Sequence, residues 1–110
     1  MNTTKLERDF QTNLIHDLKK MFVGCIVAKL DSGHIQGIPD LLILWGTHWA
    51  TLECKKSAKA IHQPNQDYYV NRMNDMSFSR FISPENKEEV LNDLERAFKS
   101  GGESRLPWRE

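Results

Sequence analysis

The sequence has few cysteines, no long apolar run and no leader-like start. Its 110 residues include only Cys25 and Cys54, and neither lies in a Cys-x-x-Cys or Cys/His zinc pattern, which argues against a disulfide scaffold. The longest apolar run, residues 38–45, is interrupted by Pro39 and Asp40 and is far shorter than the ~20 residues that cross a bilayer. The first residues show no signal-peptide pattern. We therefore expect one domain in a reduced, cytoplasmic setting, without a membrane segment.

An excess of charge of one sign is also absent, since 15 Lys and Arg residues balance 15 Asp and Glu residues. The distribution is less even than the total. Residues 1–40 are neutral, residues 41–80 carry five basic and three acidic groups, and residues 81–110 carry five basic and seven acidic groups. Any binding to phosphate must therefore come from a local patch and not from the field of the whole molecule.

The apolar periodicity predicts an α/β chain in the order α-β-β-β-α-β-α. Thr4 and Glu7 fit a capping box at the start of the first helix, which runs to residue 22. The remaining predicted elements are strands at residues 23–30, 39–45, 49–55 and 76–82, a helix at 64–74, and a last helix that opens at Ser83-Pro84 and stops at Gly101-Gly102. We expect a single domain over residues 1–102 and a flexible tail over residues 103–110.

Two carboxylates and a lysine are spaced to meet at one end of a hairpin. Side chains alternate along a strand, so Glu53 and Lys55 share one face while Cys54 points to the core. The turn at residues 46–48 folds this strand back beside the strand near Asp40. Two carboxylates are hard oxygen ligands that suit Mg²⁺, and such an ion supports phosphodiester hydrolysis. Taken singly, Glu-x-Lys is commonly a solvated strand face and Asp after Pro a turn residue, but their joint placement favours a site.

The same residues carry a family resemblance. Gly37-Ile38-Pro39-Asp40, then Glu53-Cys54-Lys55 and Gln66-x-x-Tyr69, resemble the PD-(D/E)XK nuclease superfamily, and most closely its virus-type replication-repair nuclease domain, VRR-NUC. The resemblance spans about residues 4–83. It implies a restriction-endonuclease-like α-β-β-β-α-β core with a mixed sheet flanked by helices, here with an extra C-terminal helix. It also implies a deoxyribonuclease that uses Mg²⁺, for which Mn²⁺ can substitute.

Residue by residue, the resemblance assigns the centre of the site. Asp40 and Glu53 would bind the metal, the backbone carbonyl of Cys54 would complete the protein ligands, and Lys55 would act on the attacking water. Glu7 would add a ligand directly or through water, and its alternative is the capping box.

Five further residues are predicted to surround this centre. Gln66 would orient the lysine or a phosphate, or else it is a buried polar group at the core edge. The candidate DNA contacts are His34, Lys56, Lys59 and His62, and the alternative for each is a solvated surface side chain.

The sequence thus predicts a Mg²⁺-dependent endodeoxyribonuclease in phage or bacterial replication and recombination. We expect a homodimer that prefers branched DNA such as a four-way junction. The alternatives left open are a restriction-like or general DNA nuclease, an inactive DNA-binding module on the same fold, and a small interaction protein with an accidental motif.

Overall fold

The structure is a computed structural model that describes residues 4–105, with side chains for residues 4–99. Its elements follow the predicted order α-β-β-β-α-β-α. They are α1 (Lys5–Met21), β1 (Ile26–Lys29), β2 (Leu41–Trp45), β3 (His48–Cys54), α2 (Gln66–Met76), β4 (Ser79–Ile82) and α3 (Lys87–Arg105). Within residues 4–105, no helix is both long enough and apolar enough to cross a membrane.

The four strands form one mixed sheet, as predicted, and their order in the sheet is β1-β2-β3-β4. The pairs β1–β2 and β2–β3 are antiparallel, whereas β4 returns through α2 to pair parallel with β3. Trp45 pairs with His48, so the β2–β3 turn holds two residues, Gly46 and Thr47, and is one residue shorter than predicted. Gly46 has a φ of 63°, the left-handed conformation that a tight hairpin turn requires at its first central position.

The main core lies on one face of the sheet, where β3 contributes its alternate residues Ala50, Leu52 and Cys54. These pack with apolar side chains of α1, its C-cap residue and α3, which are Leu14, Leu18, Phe22, Val90, Leu91, Leu94 and Phe98. Helix α2 packs on the opposite face of β3, where the Thr51 hydroxyl donates to Met73 Sδ at 3.4 Å. The β3 strand therefore has an apolar face towards α1 and α3 and a more polar face towards α2.

The helix ends differ from the predictions. Helix α2 begins at Gln66 and not at Pro64, because Asn65 adopts a left-handed φ of 72° that cannot belong to an α-helix. Helix α3 begins at Lys87, since the predicted opening at residues 83–84 leads into a turn.

The stop predicted at Gly101 and Gly102 is wrong, because α3 continues to Arg105. Glycine weakens a helix interior by about 1 kcal/mol but does not forbid it. Residues 106–110 of the predicted tail, including Trp108, lie outside the described residues.

Candidate active site

The β2–β3 register places Asp40 beside Glu53. The last pair of the β2–β3 register is Leu41 with Leu52, and the next pair in the same register would be Asp40 with Glu53. The ladder stops there, because the next partner on that side is Pro39, which has no N–H to donate. The Cys54 amide donates instead to Asp40 Oδ2 at 2.9 Å. The proline of the Gly-Ile-Pro-Asp motif therefore ends the sheet where the carboxylates meet, which confirms the predicted convergence.

Glu53 is buried with one carboxylate oxygen satisfied and the other not. Only 3% of the residue is exposed, and Gln66 Nε2 donates to Oε2 at 2.8 Å. Oε1 has no hydrogen-bond partner among the described residues. Burial, reinforced by the negative charge of Asp40, raises the pKa of Glu53 to about 8, although Lys55 opposes the shift. An unsatisfied buried oxygen beside a second carboxylate is an arrangement that a cation would stabilise.

Lys55 and Gln66 form a connected network with Glu53. Lys55 Nζ donates to Gln66 Oε1 at 2.7 Å and to the Ile61 carbonyl at 3.1 Å, and it lies 4.0 Å from Glu53 Oε2. The Gln63 amide also donates to Gln66 Oε1, at 2.8 Å. Because that oxygen accepts two donors, the Gln66 amide nitrogen must face Glu53. Gln66 is thus a buried polar group in direct contact with the lysine, and its role in orienting the lysine stays a prediction.

Glu7 reaches the same cavity from α1. The cavity has a volume of about 540 Å³ and is lined by Glu7, Asp40, Glu53, Lys55 and Gln66, among others. The Glu7 amide donates to the Thr4 hydroxyl at 3.1 Å, so the helix is capped as predicted. Partial burial and the charge of Asp40 raise the pKa of the Glu7 carboxyl. Burial also raises the pKa of Asp40, against the opposing effect of the Cys54 amide.

The donor set fits Mg²⁺ better than a metal that needs a full protein cage. Within residues 4–105, no three or more His, Cys, Asp and Glu side chains lie close enough together to hold an ion by themselves. Mg²⁺ commonly takes one or two carboxylates and keeps several waters or substrate oxygens. Asp40 and the unpaired oxygen of Glu53 match that requirement. The Cys54 side chain lies in the core, where burial raises the pKa of its thiol, and a ligand role for its carbonyl stays a prediction.

The predicted DNA contacts divide into two groups. Lys56 and Lys59 are exposed and line the cavity beside the carboxylates. His34 is exposed in the loop before β2 and is not among the cavity-lining residues. His62 is also outside the cavity lining, and its Nδ1 lies 2.7 Å from Asp67 Oδ1. Contact with DNA remains a prediction for all four.

Comparison with known proteins supports the architecture. No protein-family model and no curated protein matches the chain. Among solved structures, a chain described as a VRR_NUC domain superposes with a TM-score of 0.60 at 22% sequence identity, and the match covers 73% of this chain and 85% of that one. This chain has the VRR_NUC fold. The predicted fold is therefore confirmed, while at this identity the likeness concerns the fold alone.

Several groups that build the site on this VRR_NUC fold were not predicted from the sequence. The Ile61 carbonyl and the Gln63 amide hold the lysine and the glutamine, but backbone atoms leave no residue-type signature. The close approach of Gly37 to Asn65 joins the two loops beside the cavity, since a Cβ on the glycine would lie 2.6 Å from the Asn65 Cβ. The Gly37 of the motif was the signal that could have indicated such a contact.

Proposed function

We propose that this chain is a metal-dependent deoxyribonuclease, with Mg²⁺ as its cofactor and Mn²⁺ able to replace it. The observation that carries the proposal is the buried, unpartnered Oε1 of Glu53 beside Asp40 in an open cavity. These two carboxylates would hold the ion, with the Cys54 carbonyl as a further ligand and Glu7 bound through a water. When bound, a divalent ion supplies charge stabilisation at the phosphate and lowers the pKa of a bound water.

Lys55 would act on the attacking water or on the phosphate, and its hydrogen bonds support this role. Its ammonium has three N–H donors, of which Ile61 and Gln66 accept two. The remaining donor is available for the attacking water or a phosphate oxygen. Gln66 and the segment before it keep the ammonium beside Glu53, so its charge is preorganised and needs little rearrangement during the reaction.

The substrate we propose is DNA with a branch, a four-way junction above all, cut by a homodimer during phage or bacterial replication and recombination. Lys56 and Lys59 at the cavity supply phosphate contacts. A chain with zero net charge has little basic surface to hold a long duplex alone. Two copies related by a twofold axis would double that surface and match the symmetry of a junction.

A cleavage panel tests the activity and the substrate together. Linear, flapped, single-stranded and four-way DNA are incubated with the full chain in Mg²⁺, Mn²⁺, Ca²⁺ or EDTA. We expect cutting in Mg²⁺ and Mn²⁺, strongest on the four-way junction, with binding but little cutting in Ca²⁺. Light scattering should give twice the 12.8 kDa chain mass. Equal cutting of linear duplex by a monomer would contradict the substrate and the dimer, and would favour a general or restriction-like nuclease.

The Asp40→Asn variant tests the two-carboxylate site. Asparagine keeps an oxygen that can accept from the Cys54 amide, so the fold should survive while the rate falls by on the order of a thousandfold or more. Asp75→Asn, an exposed change on α2, is the matched control and should cut normally. Cutting in EDTA, or undiminished cutting by folded Asp40→Asn protein, would overturn the proposal. DNA binding without cutting in any metal would identify an inactive binding module instead.

A further inference from the structure

Two of the groups that hold the lysine and the glutamine come from a segment without helix or strand. Residues 56–65 connect β3 to α2, and this segment supplies the Ile61 carbonyl to Lys55 and the Gln63 amide to Gln66. Both are backbone atoms, so their positions depend on where the segment lies. The position of the Lys55 ammonium therefore depends on the contacts that fix residues 61–63.

His62 lies between those two backbone groups and is held on two sides. Its Nδ1 is 2.7 Å from Oδ1 of Asp67, in the first turn of α2. Its ring stacks on Phe81 of β4, with 3.9 Å between ring centroids and 14° between planes. About one third of the His62 side chain is exposed, and the cavity lining does not include it. The ring thus ties the segment to both elements that follow it in the chain.

We propose that His62 is a positioning residue, which holds the Ile61 carbonyl and the Gln63 amide in place for Lys55 and Gln66. The inference rests on the proposed nuclease function. The side chain acts through its neighbours' backbone, because fixing the ring fixes the peptide groups on either side of it. Its partners Asp67 and Phe81 account for the ring's contacts without DNA, so a direct DNA contact is the competing outcome.

The test compares His62→Ala with two changes at its partner. Asp67→Asn and Asp67→Ala both remove the charge near the start of α2, but only asparagine keeps an oxygen that can accept from His62. Removing His62 or its acceptor should lower the single-turnover rate about tenfold, the size of one hydrogen bond, with DNA affinity within about twofold of wild type. Asp67→Asn should retain the wild-type rate. Asp75→Ala, an exposed change on the same helix, is the control.

A double-mutant cycle assigns the effect to the lysine. In a Lys55→Ala background, His62→Ala should cause much less than a tenfold further loss of rate, because the lysine is already gone and only the effect through Gln66 remains. An additive tenfold loss would show that His62 acts elsewhere and would overturn the inference.

Amide hydrogen exchange at Gln63 gives a readout that needs no activity. His62→Ala and Asp67→Ala should speed exchange at this amide, while Asp67→Asn and the β2–β3 amides stay as in wild type. Unchanged Gln63 protection in His62→Ala would overturn the inference even if the enzyme cuts. Weaker DNA binding with rate and protection intact would identify a DNA contact. Absence of cleavage in wild type would count against the proposed function alone, because the exchange result still decides the role of His62.

Discussion

Replacing Glu53 by glutamine should stabilise the metal-free protein at alkaline pH while abolishing the proposed cleavage of DNA. The wild-type carboxyl is almost completely buried, lies beside Asp40 and has an oxygen without a hydrogen-bond partner in the described part of the chain. Glutamine has nearly the same shape and no charge, so it removes the electrostatic cost without leaving a cavity. The same change removes a proposed metal ligand, so stability and activity should move in opposite directions.

The size and sign of the effect follow from the pKa of Glu53, which is raised from 4.5 to about 8. Between these values the native state keeps a proton that the unfolded chain has lost. The stability contributed by the protonated carboxyl is therefore complete below pH 4.5 and is lost as the pH rises through about 8. Fully developed, the loss is about 5 kcal/mol, comparable with the whole stability of many small domains.

Urea unfolding in EDTA between pH 5 and pH 9 measures this effect. The free energies of unfolding of wild type and Glu53→Gln should be similar near pH 5 and should diverge by several kcal/mol near pH 9. Some decline with pH should remain in the variant, because burial also raises the pKa values of Asp40 and Glu7. Glu89→Gln, at an exposed position on α3, is the control and should follow wild type.

Added Mg²⁺ should then stabilise wild type more at pH 8 than at pH 6, since binding needs the ionised carboxylate, and should stabilise Glu53→Gln far less. Parallel pH profiles for wild type and variant would refute the account of burial and repulsion at Glu53. Equal stabilisation of both proteins by Mg²⁺ would show that the ion binds elsewhere.

Three other substitutions separate chemistry, binding and folding. Lys55→Ala should lower the single-turnover rate by on the order of a hundredfold and leave DNA affinity within a few-fold, because its ammonium is held for the reacting phosphate. The double variant Lys56→Ala/Lys59→Ala should weaken binding and reduce the salt slope by about one unit per lost phosphate contact; a change in rate alone would contradict this. Gly37→Ala should cost about 1–3 kcal/mol in urea unfolding, because its φ is +92° and an added Cβ would lie 2.6 Å from its nearest neighbour. Gly24→Ala, with a φ of +89° and no atom within 4 Å, separates backbone strain from the clash, and equal losses in both would refute the clash.

The centre of the site could be predicted from the sequence because strand geometry is local. Alternation places Glu53 and Lys55 on one face, and a short hairpin brings Asp40 beside them. Gln66 was identified through the family resemblance, and the structure shows its contacts with Lys55 and Glu53, while its role in orienting the lysine stays a prediction.

The surroundings of the site could not be predicted in the same way, because they depend on tertiary contacts. The start of α2 is set by the left-handed Asn65 packed against Gly37, and neither residue alone fixes that contact. The stacking of the His62 ring on Phe81 could not be predicted, because Phe81 lies on β4, which is far from His62 along the chain, and the predicted DNA contact of His62 stays a prediction. Gly101 and Gly102 suggested a helix end, but α3 continues past them to Arg105. The low helix propensity of glycine therefore did not set the end of this helix.

Cys54, the middle residue of Glu-x-Lys, has a structural role that differs from the roles of its two neighbours. The Cys54 amide donates a hydrogen bond to Asp40. The Cys54 side chain is fully buried among apolar residues, on the face of β3 opposite to Glu53. The residue at this position therefore needs chiefly a suitable volume and hydrophobicity, and its sulfur lies on the face of β3 opposite to Glu53 and Lys55. Because the thiol is inaccessible and burial keeps it protonated, alkylating or oxidising reagents should reach the partly exposed Cys25 first. Inactivation by such reagents would then report unfolding or damage at Cys25, and not an essential active-site cysteine.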